Sequence, residues 1–142
     1  MQAKFQRLDK QATKLTTAHI GDAAVDLQCR ESLTLEPGER AAVPTGIAVA
    51  IPDGYAGFVL PRSGHAMRFG ITVVNSPGLI DSGYRGEISV LLINHGEDAV
   101  RFEAGDRIAQ LAILAVPQVE WVEVDGLDGT QRGADGFGST GR

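Results

Sequence analysis

The sequence is poor in the features that define several protein classes. It has one cysteine, Cys29, which excludes a disulfide framework and a cysteine-based metal site. Its longest apolar runs, such as residues 47–51 and 112–116, are far shorter than the roughly 18 residues that span a bilayer. The amino-terminal stretch lacks the apolar segment of a secretory signal. A cytoplasmic protein without a membrane contact is therefore expected.

Basic charge is also scarce relative to acidic charge. The chain has 13 Lys and Arg against 18 Asp and Glu, a net charge of −5 and a sequence pI near 5.1. This balance disfavours extended binding to nucleic-acid phosphates, so no nucleic-acid partner is expected. A local basic site for a small polyanion is still compatible with it. The length of 142 residues fits one globular domain with a real core.

Glycine, by contrast, is abundant: the chain has 18 among its 142 residues, against an average usage of roughly 7%. Many of them stand in turn signals, such as Pro37-Gly38, Asp53-Gly54 and His95-Gly96, which separate short segments rich in Val, Ile and Leu. This spacing predicts an all-β fold, a jelly-roll-like barrel or sandwich. One short helix is expected after Ser63, with Ser63 as its N-cap.

The last part of the chain changes in composition. From residue 126 onward the apolar side chains are Leu127, Ala134 and Phe137, too few to hold the segment against a core. It is either a frayed terminus or a flexible arm whose glycines and hydroxyls grip a phosphate. The glycine spacing favours the arm, which gives a β domain over 1–125 and an arm over 126–142. The run GFGSTG mimics a dinucleotide fingerprint, but the chain ends where a helix would have to begin.

Four segments upstream combine turns with polar side chains. In GDAAVDLQC (21–29), Asp26 interrupts an apolar strand, as either an edge residue or an anchor for a cation. In PRSGHAMRFGI (61–71), Arg62 and Ser63 offer donors suited to phosphate oxygens. NSPGLIDSGYRGEI (75–88) is either a plain hairpin or a dense polar site. In AGDRIAQL (104–111), Gln110 lies in an apolar run, where it either faces an edge or bonds a ligand.

Together with RGADGFGSTG (132–141), these segments resemble the five signature motifs of the trimeric dUTPase family, in order and spacing, over residues 20–142. The resemblance implies Mg²⁺-dependent hydrolysis of dUTP to dUMP and pyrophosphate by water attack on the α-phosphorus. This reaction keeps uracil out of DNA and supplies dUMP for thymidylate synthesis. It also implies a homotrimer in which several chains share each active site.

The same resemblance assigns roles to individual residues. Asp81 would be the base that deprotonates the attacking water, and Asp26 would bind the waters of Mg²⁺, which is held mainly by the substrate phosphates. Arg62, Ser63 and Gln110 would contact phosphates near the scissile bond. Phe137 would stack on uracil, and Tyr84 would pack on the deoxyribose and exclude a 2′-hydroxyl. The full substrate-binding set that it implies is Arg62, Ser63, Gly64, Asn75, Gly78, Leu79, Ile80, Asp81, Tyr84, Ser89, Gln110, Arg132, Phe137, Gly138, Ser139 and Thr140.

The chain departs from the family pattern at a few positions. Asp135 replaces a glycine of the fifth motif and adds a negative charge near the expected triphosphate. His65 and Phe69 stand where leucine and histidine are common, and are expected to be peripheral to phosphate contact. Competing hypotheses are a dCTP deaminase of the same fold, a non-catalytic nucleotide-binding protein and a structural jelly roll. The LIDSGYRGE run and Asp81 favour the dUTPase reading.

Overall fold

The computed structural model of the chain describes residues 1–136 and confirms an all-β fold with one short helix. Ten strands precede the carboxy-terminal segment, and the helix α1 lies between β5 and β6. Their bounds are β1 Lys4–Arg7, β2 Ala24–Gln28, β3 Leu33–Leu35, β4 Arg40–Ala50, β5 Tyr55–Leu60, α1 Ser63–Phe69, β6 Ile71–Val73, β7 Gly78–Ile80, β8 Glu87–Asn94, β9 Val100–Phe102 and β10 Arg107–Ala115.

The strands form two four-stranded sheets and a small ribbon. One sheet has the order β1-β4-β8-β6, the other β2-β10-β5-β7, and β3 pairs with β9. All recorded strand pairs are antiparallel. Most neighbours in a sheet are distant in sequence, as in jelly-roll and Greek-key folds. Within residues 1–136, no helix has the length and hydropathy needed to cross a bilayer.

The core lies between the sheets and follows from the alternation of side chains along the strands. In β8, Ile88, Val90 and Leu92 are buried, whereas Ser89 and Leu91 between them are exposed. Successive side chains of a strand point to opposite faces, so this pattern directs one face of β8 inward. Apolar residues of both sheets join β8 in one buried cluster. The exposed face is thereby left available for a site.

The helix differs from the sequence prediction at its first turn. Ser63 is the first helical residue, and the N-cap is Arg62, whose backbone is extended and whose side chain makes no capping bond. The expectation that Ser63 caps the helix is therefore wrong. Arg62 keeps the extended conformation of the chain leaving β5 and takes the N-cap position, so the helix begins at Ser63, one residue earlier than a Ser63 cap would place it. At the other end Gly70 adopts a left-handed conformation with φ 68° and donates its N–H to the Ala66 carbonyl.

A buried asparagine fixes the loop after β8. The Asn94 side chain is fully buried and donates to the carbonyls of Leu35 (2.9 Å) and Asp98 (2.8 Å). Its Oδ1 accepts the Gly96 N–H at 2.8 Å. All the polar atoms of this side chain have partners, as burial requires. The loop over 95–99 is therefore held against the end of α1.

The segment after β10 has a different character. Residues 116–136 form bends and turns without a helix or strand. Several large apolar side chains on it are exposed, with Trp121 and Leu127 each 91% accessible.

Gly70→Ala is expected to destabilise the fold more than Gly54→Ala. Both glycines have positive φ (68° and 80°), but an added Cβ at Gly70 would lie 2.6 Å from the Gly96 nitrogen, whereas at Gly54 it would meet nothing. Gly54→Ala should lower the free energy of unfolding by about 1 kcal/mol, and Gly70→Ala by at least about twice that. Urea denaturation at equal chain concentration measures both. Equal losses would contradict the close approach of α1 to the 95–99 loop.

Candidate active site

Three neighbouring strands bring two of the candidate polar residues side by side. Asp26 in β2 pairs with Gln110 in β10, and Gln110 pairs with Leu60 at the end of β5. The Gln110 side chain donates to the Pro61 carbonyl at 3.0 Å. Residues in register across a sheet project from the same face. Asp26 and Gln110 therefore belong to one surface, beside the point where the chain leaves β5 toward Arg62.

Asp26 holds two arginines in place. Its carboxylate lies 3.1 Å from Arg62 Nε and 3.4 Å from Arg107 Nη1. Arg62 Nη1 also donates to the Arg107 carbonyl at 3.3 Å. The side chains of Arg62 and Asp26 are 27% and 26% accessible, so the pair is partly shielded from water. Asp26 therefore orients Arg62 rather than leaving its long side chain free.

Arg62 and Arg107 border a cavity of about 700 Å³ between α1 and the 95–99 loop. Ser63 and Gly64 begin α1 beside it, before the first helical hydrogen bond that His65 donates to the Arg62 carbonyl. Four arginines and three carboxylates line this cavity, so a polyanion there would meet guanidinium N–H donors and a small excess of positive charge. The charged groups that line the cavity are Arg62, Arg68, Arg101 and Arg107, with Glu97, Asp98 and Asp106.

A second group of residues surrounds the hairpin between β7 and β8. It encloses a cavity of about 200 Å³. The polar sequence-predicted residues Asn75, Asp81, Tyr84 and Ser89 all line it, with Gly78, Leu79 and Ile80 from β7. The Asp81 side chain is exposed at the end of β7. The structure thus brings the whole third-motif set into one place.

Tyr84 is packed over Gly86 in this hairpin. Its hydroxyl donates to the Glu87 carbonyl at 2.9 Å. A Cβ at Gly86 would lie 2.6 Å from Tyr84 Cζ, closer than carbon atoms approach. Glycine is therefore required at position 86 for the ring to keep this orientation.

The two groups lie far apart within one chain. Gly57 pairs with Ile80, which places Asp81 opposite Ala56, whereas Gln110 is opposite Leu60. Four residues of β5 and two strand spacings separate Asp81 from Gln110, about 13 Å along the sheet and about 10 Å across it. Within the described part of the chain, the two cavities share no lining residue. Within one chain, Asp81 therefore lies far from Gln110 and from Arg62, which follows β5.

The expected arm residues are described only in part. Arg132 Nε donates to the Asp135 carbonyl at 3.0 Å, and the Asp135 N–H donates back to Arg132 at 3.2 Å. Asp135, the departure from the fifth motif, thus engages Arg132 through its backbone rather than its carboxylate. The predicted residues Phe137, Gly138, Ser139 and Thr140 lie outside the described residues.

Comparison with known proteins identifies the family. The sequence profile described as dUTPase matches residues 10–141. The chain belongs to the dUTPase family. It is 54% identical over 142 residues to the deoxyuridine 5′-triphosphate nucleotidohydrolase of Thermobifida fusca, covering 99% of this chain and 79% of that protein. The enzyme of the same name from Gloeobacter violaceus is 55% identical over 139 residues, covering 96% of this chain and 95% of that one.

Solved structures agree with this assignment. The Staphylococcus bacteriophage 80alpha dUTPase with dUPNHPP has a TM-score of 0.90 and 28% identity, covering 99% of both chains. A mutant dUTPase from phage phi11 of S. aureus, in which a structural Mg(II) ion is described, has a TM-score of 0.82 and 25% identity, covering 89% of this chain and 98% of that one. The sequence-based recognition of the dUTPase family and of its fold is therefore confirmed.

The motifs did not disclose one contact of Asp26 and one of Arg62. The contact of Arg107 with Asp26 depends on a register shift between Arg107 and Ala109 that a strand pattern does not reveal. His65, expected to be peripheral to phosphate contact, lies with Nε2 3.5 Å from Arg62 Nη1. The separation of three residues in sequence was the available signal, but Arg62 is extended and precedes the helix.

The side chains around Asp26 are compatible with a Mg²⁺ ion that is bound through water and phosphate. Within residues 1–136, no three His, Cys, Asp or Glu side chains converge as a metal cage would require. Each carboxylate oxygen of Asp26 contacts one arginine, and each oxygen has a further lone pair that can accept a hydrogen bond from water. Mg²⁺ commonly keeps several waters and takes substrate phosphates as ligands. Asp26 therefore fits the role of a carboxylate facing such a hydrated ion.

Gly86→Ala is expected to displace the Tyr84 ring and break its hydrogen bond to Glu87. The control is Gly83→Ala in the same turn, where an added Cβ meets nothing and φ is not positive. A crystal structure of each variant shows the ring position. If Gly86→Ala leaves Tyr84 on the Glu87 carbonyl, the close packing of the ring over the backbone is refuted.

Proposed function

We propose that this chain hydrolyses dUTP to dUMP and pyrophosphate by attack of water on the α-phosphorus. The observation that carries the proposal is the pairing of two sites in one dUTPase-family fold. One is a backbone-lined hairpin cavity with an exposed carboxylate, and the other is an arginine-rich surface organised by Asp26. The first suits a nucleobase and a base catalyst, and the second suits a triphosphate. The cellular role that follows is to keep uracil out of DNA and to supply dUMP.

In the proposed mechanism Asp81 orients the water and takes its proton. Charge then develops on the phosphate oxygens, where the Arg62 guanidinium, the Ser63 hydroxyl and the Gln110 amide supply donors. The protein forms no covalent bond to the substrate in this mechanism, because positioning and charge stabilisation supply most of the rate enhancement in phosphoryl transfer. Mg²⁺, when bound to the substrate phosphates, supplies further neutralisation of charge. Asp26 would hold the waters of that ion, and it keeps Arg62 aligned.

Specificity in this proposal comes from the hairpin. The 200 Å³ cavity is too small for more than a base and part of a sugar. Backbone groups from Asn75 to Asp81, with the return strand at Ser89, present the edge that uracil would pair with. Tyr84, fixed over Gly86, would lie against the deoxyribose where a 2′-hydroxyl would clash. A polar mismatch in such a site discriminates strongly, because it leaves buried groups unpaired.

A complete site requires more than one copy of the chain in this proposal. The separation of Asp81 from Gln110 along β5 supports it, since both are assigned to the same α-phosphate. We propose a homotrimer in which the hairpin of one chain faces the Asp26–Arg62 surface of its neighbour.

The arm over 126–142, including Arg132, Phe137, Gly138, Ser139 and Thr140, would close the site, following a domain over 1–125. A cytoplasmic location remains a prediction from the sequence.

Purified protein is expected to release pyrophosphate from dUTP with Mg²⁺, and to lose this activity with EDTA. For dCTP, dTTP and UTP, kcat/KM should be lower by at least about 100-fold, because each mismatches the hairpin in polarity or size. A pyrophosphate-release assay with all four nucleotides measures this. Equal turnover of the four would refute the specificity argument, and no turnover of dUTP would refute the proposed function.

Asp81→Asn is expected to bind dUTP within a few-fold of the unchanged protein but to lower kcat by about 100-fold to 10,000-fold, the range for removal of a general base. Asparagine keeps the shape of the side chain but does not accept the proton. The control is Asp53→Asn, an exposed aspartate in the turn before β5, which should leave kcat unchanged. Near-normal turnover by Asp81→Asn would remove Asp81 from this role.

A further inference from the structure

His65 lies in contact with the arginine that the proposed function places on the phosphates. Its Nε2 is 3.5 Å from Arg62 Nη1. The imidazole ring packs between two aromatic rings, with centroid distances of 5.4 Å to Phe102 and 6.0 Å to Phe69. Aromatic contacts of this kind hold a ring in one orientation. The position of Nε2 beside Arg62 is thus set by packing, not by a flexible side chain.

The chemistry of the two groups decides which one donates. A guanidinium has N–H donors and no acceptor, so the lone pair in this contact belongs to His65 Nε2. In the neutral ring the proton is then on Nδ1. Nδ1 is buried and has no hydrogen-bond partner among the described residues. Nδ1 is therefore buried without a hydrogen bond, while Nε2 points toward Arg62. Packing alone does not favour this arrangement, because a buried polar atom without a partner is costly.

We propose that His65 is a positioning residue for Arg62, accepting a hydrogen bond through Nε2 and thereby holding the guanidinium toward the substrate phosphates. This inference rests on the proposed function and deepens it. Arg62 then has three partners: the Asp26 carboxylate at 3.1 Å on Nε, and the Arg107 carbonyl at 3.3 Å and the His65 ring on Nη1.

Protonation of the His65 ring would turn its attractive contact with Arg62 into a repulsive one. An imidazolium has no free lone pair and places a positive charge beside Arg62. Burial, followed by the charges of Arg62 and Arg68, lowers the pKa of His65 below its ordinary value of 6.5. The neutral, accepting form therefore predominates at neutral pH and is lost as the pH falls through the lowered pKa. The charged groups around the ring are Arg62, Arg68, Asp106 and Arg107, with Glu97, Asp98 and Arg101 on the far side of the cavity.

The test compares His65→Leu with His65→Gln. Leucine keeps an apolar side chain without an acceptor, whereas the glutamine amide oxygen can occupy the place of Nε2. In His65→Leu, kcat for dUTP is expected to fall about tenfold, the loss that follows from one hydrogen bond to a charged group, while KM changes by less than about threefold. His65→Gln should recover most of kcat. His95→Leu, an exposed histidine in the neighbouring loop, is the control and should match the unchanged protein.

Two further measurements separate positioning from packing. In the unchanged protein kcat should fall below pH 6.5 in a step that His65→Gln lacks, because an amide does not titrate there. Melting temperature and calorimetric binding of dUpNHpp show whether each variant folds and binds. His65→Leu with unchanged kcat and pH profile would overturn the proposal. The proposal would also be overturned if His65→Gln had a kcat as low as that of His65→Leu while both variants were folded. An unchanged protein that does not hydrolyse dUTP would instead refute the proposed function itself.

Discussion

The pairing of β5 with β10 on one side and β7 on the other is the constraint on which the site depends. β10 aligns Gln110 with Leu60 at the end of β5, and β7 aligns Asp81 with its beginning. Because hydrogen-bonded register is rigid, the two residues are held apart by the length of the strand. The same pairing that builds the core therefore divides the proposed catalytic groups between two surfaces. The proposed trimer is the arrangement that brings the surfaces of different copies together.

Within the phosphate-facing surface, the organising interaction is the carboxylate of Asp26. Ion pairs that are partly exposed contribute little to folding stability, so the contacts to Arg62 and Arg107 matter for orientation. A guanidinium already aligned does not have to be ordered when substrate binds, which lowers the entropic cost of reaching the reactive geometry. The proposed His65 contact extends this principle to Nη1 of Arg62.

Much of the fold and site could be predicted because the relevant signals are local. The turn spacing gave the β architecture, and the hairpin 75–88 carries its cavity within one short segment. Asp26 and Gln110 also stood out as polar residues in apolar strands. Other features depend on relations between elements. They are the start of α1 directly after the extended Arg62, the register shift that brings Arg107 to Asp26, and the packing of His65 against Phe102, which arise from tertiary contacts that a linear pattern does not contain.

The claim that each site is assembled from different chains is tested most directly with two inactive variants in one oligomer. Asp81→Asn and Arg62→Ala, each carrying a different affinity tag, are co-expressed, and oligomers containing both are isolated. In a mixed trimer, one of the three interfaces joins an intact hairpin to an intact phosphate surface, so about one third of the unchanged activity per oligomer is expected. Activity no greater than that of the two variants purified separately would contradict the account, because it would place Asp81 and Arg62 in the same chain's site.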